Sequence, residues 1–283
     1  MVIPKRVLRG LACALTALVL AAPAAGATAI DAAVRYLEAR RQPDGGFAEP
    51  GRDSDPGLTA WVVLGLVAAG RPPTGADEFL KGKPYPTTTD LELRILALAA
   101  LGIDVHGPAE QLEGLRRPSG AIGPSISSTM WGVISLRAAG RPAGDAVGYL
   151  LARQGSDGGF AWHEDAESDS NDTAAAVQAL RAAGVPAGSK AIRRAFAYLR
   201  TFQNADGGFE LEPGQGSDVQ STAWAIQAFL SAGRSPGDDA YAFLRRMQRR
   251  NGSFRYSARY AVTPVWVTAQ ALAALAGRPF PLG

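Results

Sequence analysis

Trp61, Trp131 and Trp224 each stand nine residues before a glycine that closes an apolar run, at Gly70, Gly140 and Gly233. Three indoles at one repeated register can surround or roof a cavity and offer flat apolar surface to a planar or polycyclic ligand; equally, they can fill space between two layers of helix. Trp266 and Trp162 fall near the same end of their own segments. The polar groups that would accompany such a ligand are Asp169 and Asp172, two carboxylates just ahead of the apolar run closed by Gly184. The preceding stretch, His163-Glu-Asp-Ala-Glu-Ser-Asp169, reads as a solvated acidic loop. It also admits loose calcium binding, though without the glycine and ligand spacing of an EF-hand, and carbohydrate chemistry by two acids between Glu164 and Asp172. His106 and His163 lie 57 residues apart and give no zinc spacing. No metal and no cofactor is expected.

An internal repeat positions these residues. Gln154-Gly-Ser-Asp-Gly-Gly-Phe160 recurs as Gln203-Asn-Ala-Asp-Gly-Gly-Phe209, as Gln248-Arg-Arg-Asn-Gly-Ser-Phe254, and one residue shorter as Gln42-Pro-Asp-Gly-Gly-Phe47. An Ala-x-x-(Tyr/Phe)-Leu stretch precedes each copy, as at Ala195-Tyr198-Leu199, and a long apolar run ending in glycine follows it. The unit is helix, glycine-rich turn, helix. Gly70, Gly102, Gly140, Gly184, Gly233 and Gly277 count six such pairs, the second having only a short first helix near Gly75 to Leu80. First helices are amphipathic, with Ile192, Phe196 and Leu199 on one face. Second helices, such as Leu58 to Ala69 and Thr263 to Ala276, are apolar nearly all round and must be covered on every side. The last is as apolar as the middle ones, whereas an open solenoid ends in polar caps. The expected fold is therefore all-α, with six helical hairpins closed into a double-layered α/α toroid, the first inner helix packing on the sixth.

Fifteen residues before the first five terminal glycines stand Asp55, Thr87, Ser125, Asp169 and Asp218, all good N-caps, with Asp90, Ser128, Asp172 and Ser221 three residues later in a capping-box register. The sixth unit has Val262 in that position and breaks the pattern. Gln178, Gln227 and Gln270 interrupt the apolar helices, and each buried amide needs a partner in a neighbouring helix, a water or a ligand.

The Gln-x-x-Asp-Gly-Gly-Phe repeat resembles that of the prenyltransferase and squalene-cyclase superfamily, over most of residues 31–277. The resemblance implies the toroid fold, shared there by terpene cyclases, protein prenyltransferases, cobalamin carriers and thioester domains. Asp169-Ser-Asn-Asp172-Thr-Ala174 is similar to the Asp-x-Asp-Asp-Thr-Ala motif of class II terpene cyclases, whose middle Asp donates the initiating proton. Asn171 occupies that position here, and an amide is no strong acid. The expected function is binding of a small apolar or polycyclic ligand without catalysis, with Trp61, Trp131, Trp224, Asp169 and Asp172 around it, and the resemblance implies a terpenoid or corrinoid as that ligand. The alternatives are a terpene cyclase-like enzyme using Asp172, supported by Asp169, and a protein-interaction scaffold with a filled centre.

Lys5, Arg6 and Arg9 precede the apolar stretch Leu11 to Ala22, followed by Ala25-Gly-Ala27, which is the pattern of a Sec signal over residues 1–27. The expected mature chain, residues 28–283, is one domain, a monomer outside a bacterial cell. That leader holds three of the 29 basic residues, none of the 26 acidic ones and the sole cysteine, Cys13. The remainder is formally neutral and free of thiols, which argues against nucleic-acid binding and thiolate chemistry, and no membrane span is expected.

Overall fold

The computed structural model describes residues 25–282, so the expected signal segment lies outside the described residues up to position 24. Twelve helices follow one another among them: α1 (Ala25–Glu38), α2 (Pro56–Ala68), α3 (Ala76–Lys81), α4 (Thr88–Ala100), α5 (His106–Gly114), α6 (Ile126–Ala138), α7 (Ala146–Ala152), α8 (Ser170–Ala182), α9 (Lys190–Arg200), α10 (Val219–Ser231), α11 (Asp238–Met247) and α12 (Pro264–Leu275). The even-numbered helices form a closed inner ring in which α12 packs directly against α2. The odd-numbered helices form the outer layer, each lying over the inner helix before it, with α1 over α12. The apolar all-round pattern predicts this ring because only closure covers both flanks of every inner helix. No helix of the described residues is long and apolar enough to cross a membrane.

Local chemistry fixes both ends of the first five inner helices and the C-terminal end of the sixth. Asp55, Thr87, Ser125, Asp169 and Asp218 cap their helices as the register predicts, each side chain accepting the N–H three residues on. All six terminal glycines take positive φ, between 66° and 90°, and so end their helices where a Cβ would be strained.

The turns lock the two layers together. Phe47, Phe160, Phe209 and Phe254 are buried. The N–H of each donates at 2.9 Å to a threonine hydroxyl one turn into the inner helix: Thr59, Thr173, Thr222 and Thr268. The third unit does the same with Ile122 and Thr129 at 3.0 Å, although its turn, Pro118-Ser-Gly-Ala-Ile122, escapes the sequence pattern. The turn glutamines reach outward: Gln154 Nε2 donates to Ala191 O of α9, and Gln248 Nε2 to Ala29 O of α1, which joins the last turn to the first helix.

Candidate functional site at the mouth of the toroid

The inner helices begin at one end of the ring, and a cavity of about 570 Å³ opens there across the seam between α2 and α12. Trp61 and Trp266 supply its aromatic surface, together with Leu58 and Gly57; Glu49, Arg52, Asp53, Ser54, Asp55 and Thr263 supply its polar rim.

The seam explains why α12 needs no cap of its own. In the last three units the carbonyl two residues past the turn aromatic receives an N–H from the start of the preceding inner helix: Trp162 from Ser127 at 3.1 Å, Leu211 from Ser170 at 3.3 Å, Tyr256 from Val219 at 2.8 Å. At the seam the corresponding residue is Glu49, and its carboxylate takes over. It accepts the N–H of Val265 at 3.0 and 3.1 Å and that of Trp266 at 2.9 Å. Thr263, the helix's N-cap, sits at φ 40° and makes no side-chain cap bond. An anion at a helix N-terminus is favourable through both the free amides and the dipole. Replacing Glu49 by alanine leaves those amides without their acceptor, and a loss of about 1–3 kcal/mol is expected, read as a lowered denaturant midpoint. Glu49→Gln, which keeps one acceptor, should lose less.

The three predicted tryptophans do meet in the lumen. Ring centroids lie 5.5 Å apart for Trp61 and Trp131, 5.3 Å for Trp131 and Trp224, and 6.3 Å for Trp61 and Trp224. They are not wedged between inner and outer layers, nor do they roof an open centre: they fill the lumen against one another, and Trp61 alone of the three reaches the mouth cavity. Phe280, from the chain's last residues, packs beneath them at 6.1 Å from Trp61 and 6.4 Å from Trp131. Gln178 and Gln227 find their partners in that same segment, while both polar atoms of Gln270 are buried without one.

Asp169 and Asp172 stand at the start of α8 and are not among the residues that line the mouth cavity. Asp169 accepts the backbone N–H of Asp172 at 2.8 Å. Burial raises Asp169, and burial together with the Asp169 charge pushes Asp172 up to about 8, so Asp172 keeps its proton at neutral pH and shares it with its neighbour. Asn171 is buried with its Oδ1 unpartnered. Asp169 and Thr173 of this motif have counterparts elsewhere: Asp218 with Thr222-Ala223, and Asp55 with Thr59-Ala60, do the same capping and turn-locking. In the register of Asp172 stand Leu58, Asp90, Ser128 and Ser221, of which Asp90 and Ser128 close capping boxes with Thr87 and Ser125. Among the described residues no group of three or more His, Cys, Asp or Glu side chains is placed to hold a metal ion.

Residues 5–81, 126–193 and 187–261 match the prenyltransferase alpha-alpha toroid domain. The chain belongs to this family. Solved structures repeat the fold over nearly their whole length. A protein from Actinoplanes is 20% identical, with 89% of this chain and 99% of that one aligned at a TM-score of 0.70. The type II terpene cyclase MstE from Scytonema is 18% identical, with 89% and 97% aligned at 0.69. A wild-type glycosidase is 12% identical, with 90% and 98% aligned at 0.64. At these identities the likeness is one of fold. No curated protein matches the chain. Within the toroid family fold, the elements that sequence reasoning passed over are the threonine register, the Glu49 cap and the buried Glu92 of α4; the threonines alone left a sequence signal, recurring four residues after the caps Asp55, Ser125, Asp169 and Asp218.

Proposed function

We propose that this toroid binds a small, largely apolar ring system in its mouth cavity and performs no catalysis on it. The observation that carries this reading is the division of labour at the seam. Trp61 and Trp266 offer flat apolar surface, while two of the three lining carboxylates, Glu49 and Asp55, are already engaged as helix caps. What remains is a shaped recognition surface with Arg52 and Asp53 at its rim, not a facing pair of free acids. A volume of about 570 Å³ suits a polycyclic terpenoid better than a corrinoid macrocycle. MstE, of the same fold, has been solved in complex with geranylgeranyl dihydroxybenzoate, which supports a prenylated or polycyclic class of ligand. We place the protein outside the cell, exported by the segment over residues 1–27 and acting as a single-domain monomer.

Native mass spectrometry of the protein purified from its source is expected to show a retained compound of terpenoid size, and Trp266→Leu should weaken its binding tenfold or more. A folded protein that retains nothing, and whose tryptophan fluorescence is indifferent to polycyclic terpenoids, overturns the reading. The proton held by the Asp172 and Asp169 pair favours a second one, acid catalysis from Asp172. Cyclisation of a polyprenyl substrate by the wild type, lost in Asp172→Asn at an unchanged melting temperature, would establish it.

A further inference from the structure

The lumen beneath the tryptophans holds a segment of main chain, read by two buried side chains. Gln178 Oε1 of α8 accepts the N–H of Phe280 at 3.0 Å, and Gln227 Nε2 of α10 donates to the carbonyl of Arg278 at 3.1 Å. Both glutamines are about 1% exposed. One side-chain amide thus accepts and the other donates, to backbone groups two residues apart, so the main chain of the segment is recognised as well as its ring. Phe280 is 3% exposed, its ring set against Trp61 and Trp131. Pro279 and Pro281 flank it, and each fixes its own φ and lacks a donor, so the segment reaches the site with little conformational freedom to lose and few N–H groups to satisfy. An ordinary core contact needs only the ring; two glutamines placed inside otherwise apolar helices serve the backbone.

We propose that the lumen beneath the tryptophans is a peptide-recognition site for a bent segment carrying phenylalanine between two prolines. The chain's own residues 278–282 fill it in cis, and a segment of the same chemistry supplied in trans can replace them. This inference does not depend on the mouth cavity's ligand. Its probe is a fluorescein-labelled Arg-Pro-Phe-Pro-Leu peptide followed by anisotropy. The tethered segment acts at an effective concentration in the millimolar range, so wild-type protein should bind the probe only weakly. Phe280→Ala in the full chain removes the resident anchor but none of the lining, and should bind at least tenfold more tightly than wild type. Adding Gln178→Leu should cancel that gain, and a probe with alanine for phenylalanine should not bind. Phe280→Ala protein with wild-type circular dichroism that binds the probe no better than wild type overturns the proposal. If that variant does not fold, hydrogen exchange on the wild type decides. Exchange of the Phe280 amide well ahead of the α2 and α12 amides supports a replaceable segment, and exchange only on global unfolding overturns it.

Discussion

Replacing Gly252 by alanine is expected to open the outer layer of the ring where it closes, at a cost of about 3–5 kcal/mol, which places it among severe core defects. Gly252 belongs to the last turn and takes φ 90°. A Cβ there would stand 2.1 Å from the carbonyl oxygen of Ala32 in α1, so the first helix has to move away from the last turn. The same movement stretches the bond from Gln248 to Ala29 O. Gly184 is the control, since it has the same φ of 90° but nothing within 4 Å of its would-be Cβ. Gly184→Ala should cost only the left-handed backbone penalty, roughly 1–2 kcal/mol. Urea titration of the two variants, with hydrogen exchange along α1, separates strain from clash; equal losses would show that the close approach at the seam does not matter. The same approach recurs around the ring: Gly45 to Gly75 O, Gly120 to Asp145 O, Gly158 to Arg194 O and Gly207 to Asp239 O. The turn glycines therefore set how near successive outer helices stand.

The second large effect is a gain. Glu92 of α4 is fully buried, neither carboxyl oxygen has a hydrogen-bond partner, and desolvation raises its pKa well above the model-compound value of 4.5. It stands ten residues before Gly102, the register held in α6 by Met130. A carboxyl whose folded pKa is raised keeps its full contribution to stability below the unfolded pKa. That contribution falls as pH rises toward the folded one, because the unfolded chain releases the proton first. Wild-type stability should thus decline from about pH 4.5 upward, by roughly a tenfold change in the folded-to-unfolded ratio per pH unit from this group alone. Glu92→Met removes the ionisable group at similar volume, and should raise the midpoint at pH 7 while flattening that slope. A variant less stable than wild type at pH 7 would mean that the carboxyl has a role no contact in the fold accounts for.

Sequence alone determined what is written within a few residues. The caps Asp55, Thr87, Ser125, Asp169 and Asp218, the terminal glycines, and the contrast between amphipathic and apolar helices each depend on bonds or faces spanning one or two turns, so they are legible as spacing. From them follow six hairpins and, since the apolar flanks of α2 and α12 need cover, a closed ring. The tertiary structure decided what joins distant residues. Val262 reads as a missing cap because the real one, Glu49, lies 216 residues from Val265 and becomes a neighbour only when the ring shuts. The tryptophan register gave three indoles at one height, but whether they face the lumen or lie between the layers, and whether they enclose a ligand or one another, depends on the ring's radius and on what enters from below, and both come from packing. Here the lumen is narrow enough for the indoles to touch, and Phe280 completes the filling. Asp172 looks like its neighbours' capping-box residues in sequence; its retained proton comes from burial and from Asp169, and burial is a property of the assembled ring, not of any segment.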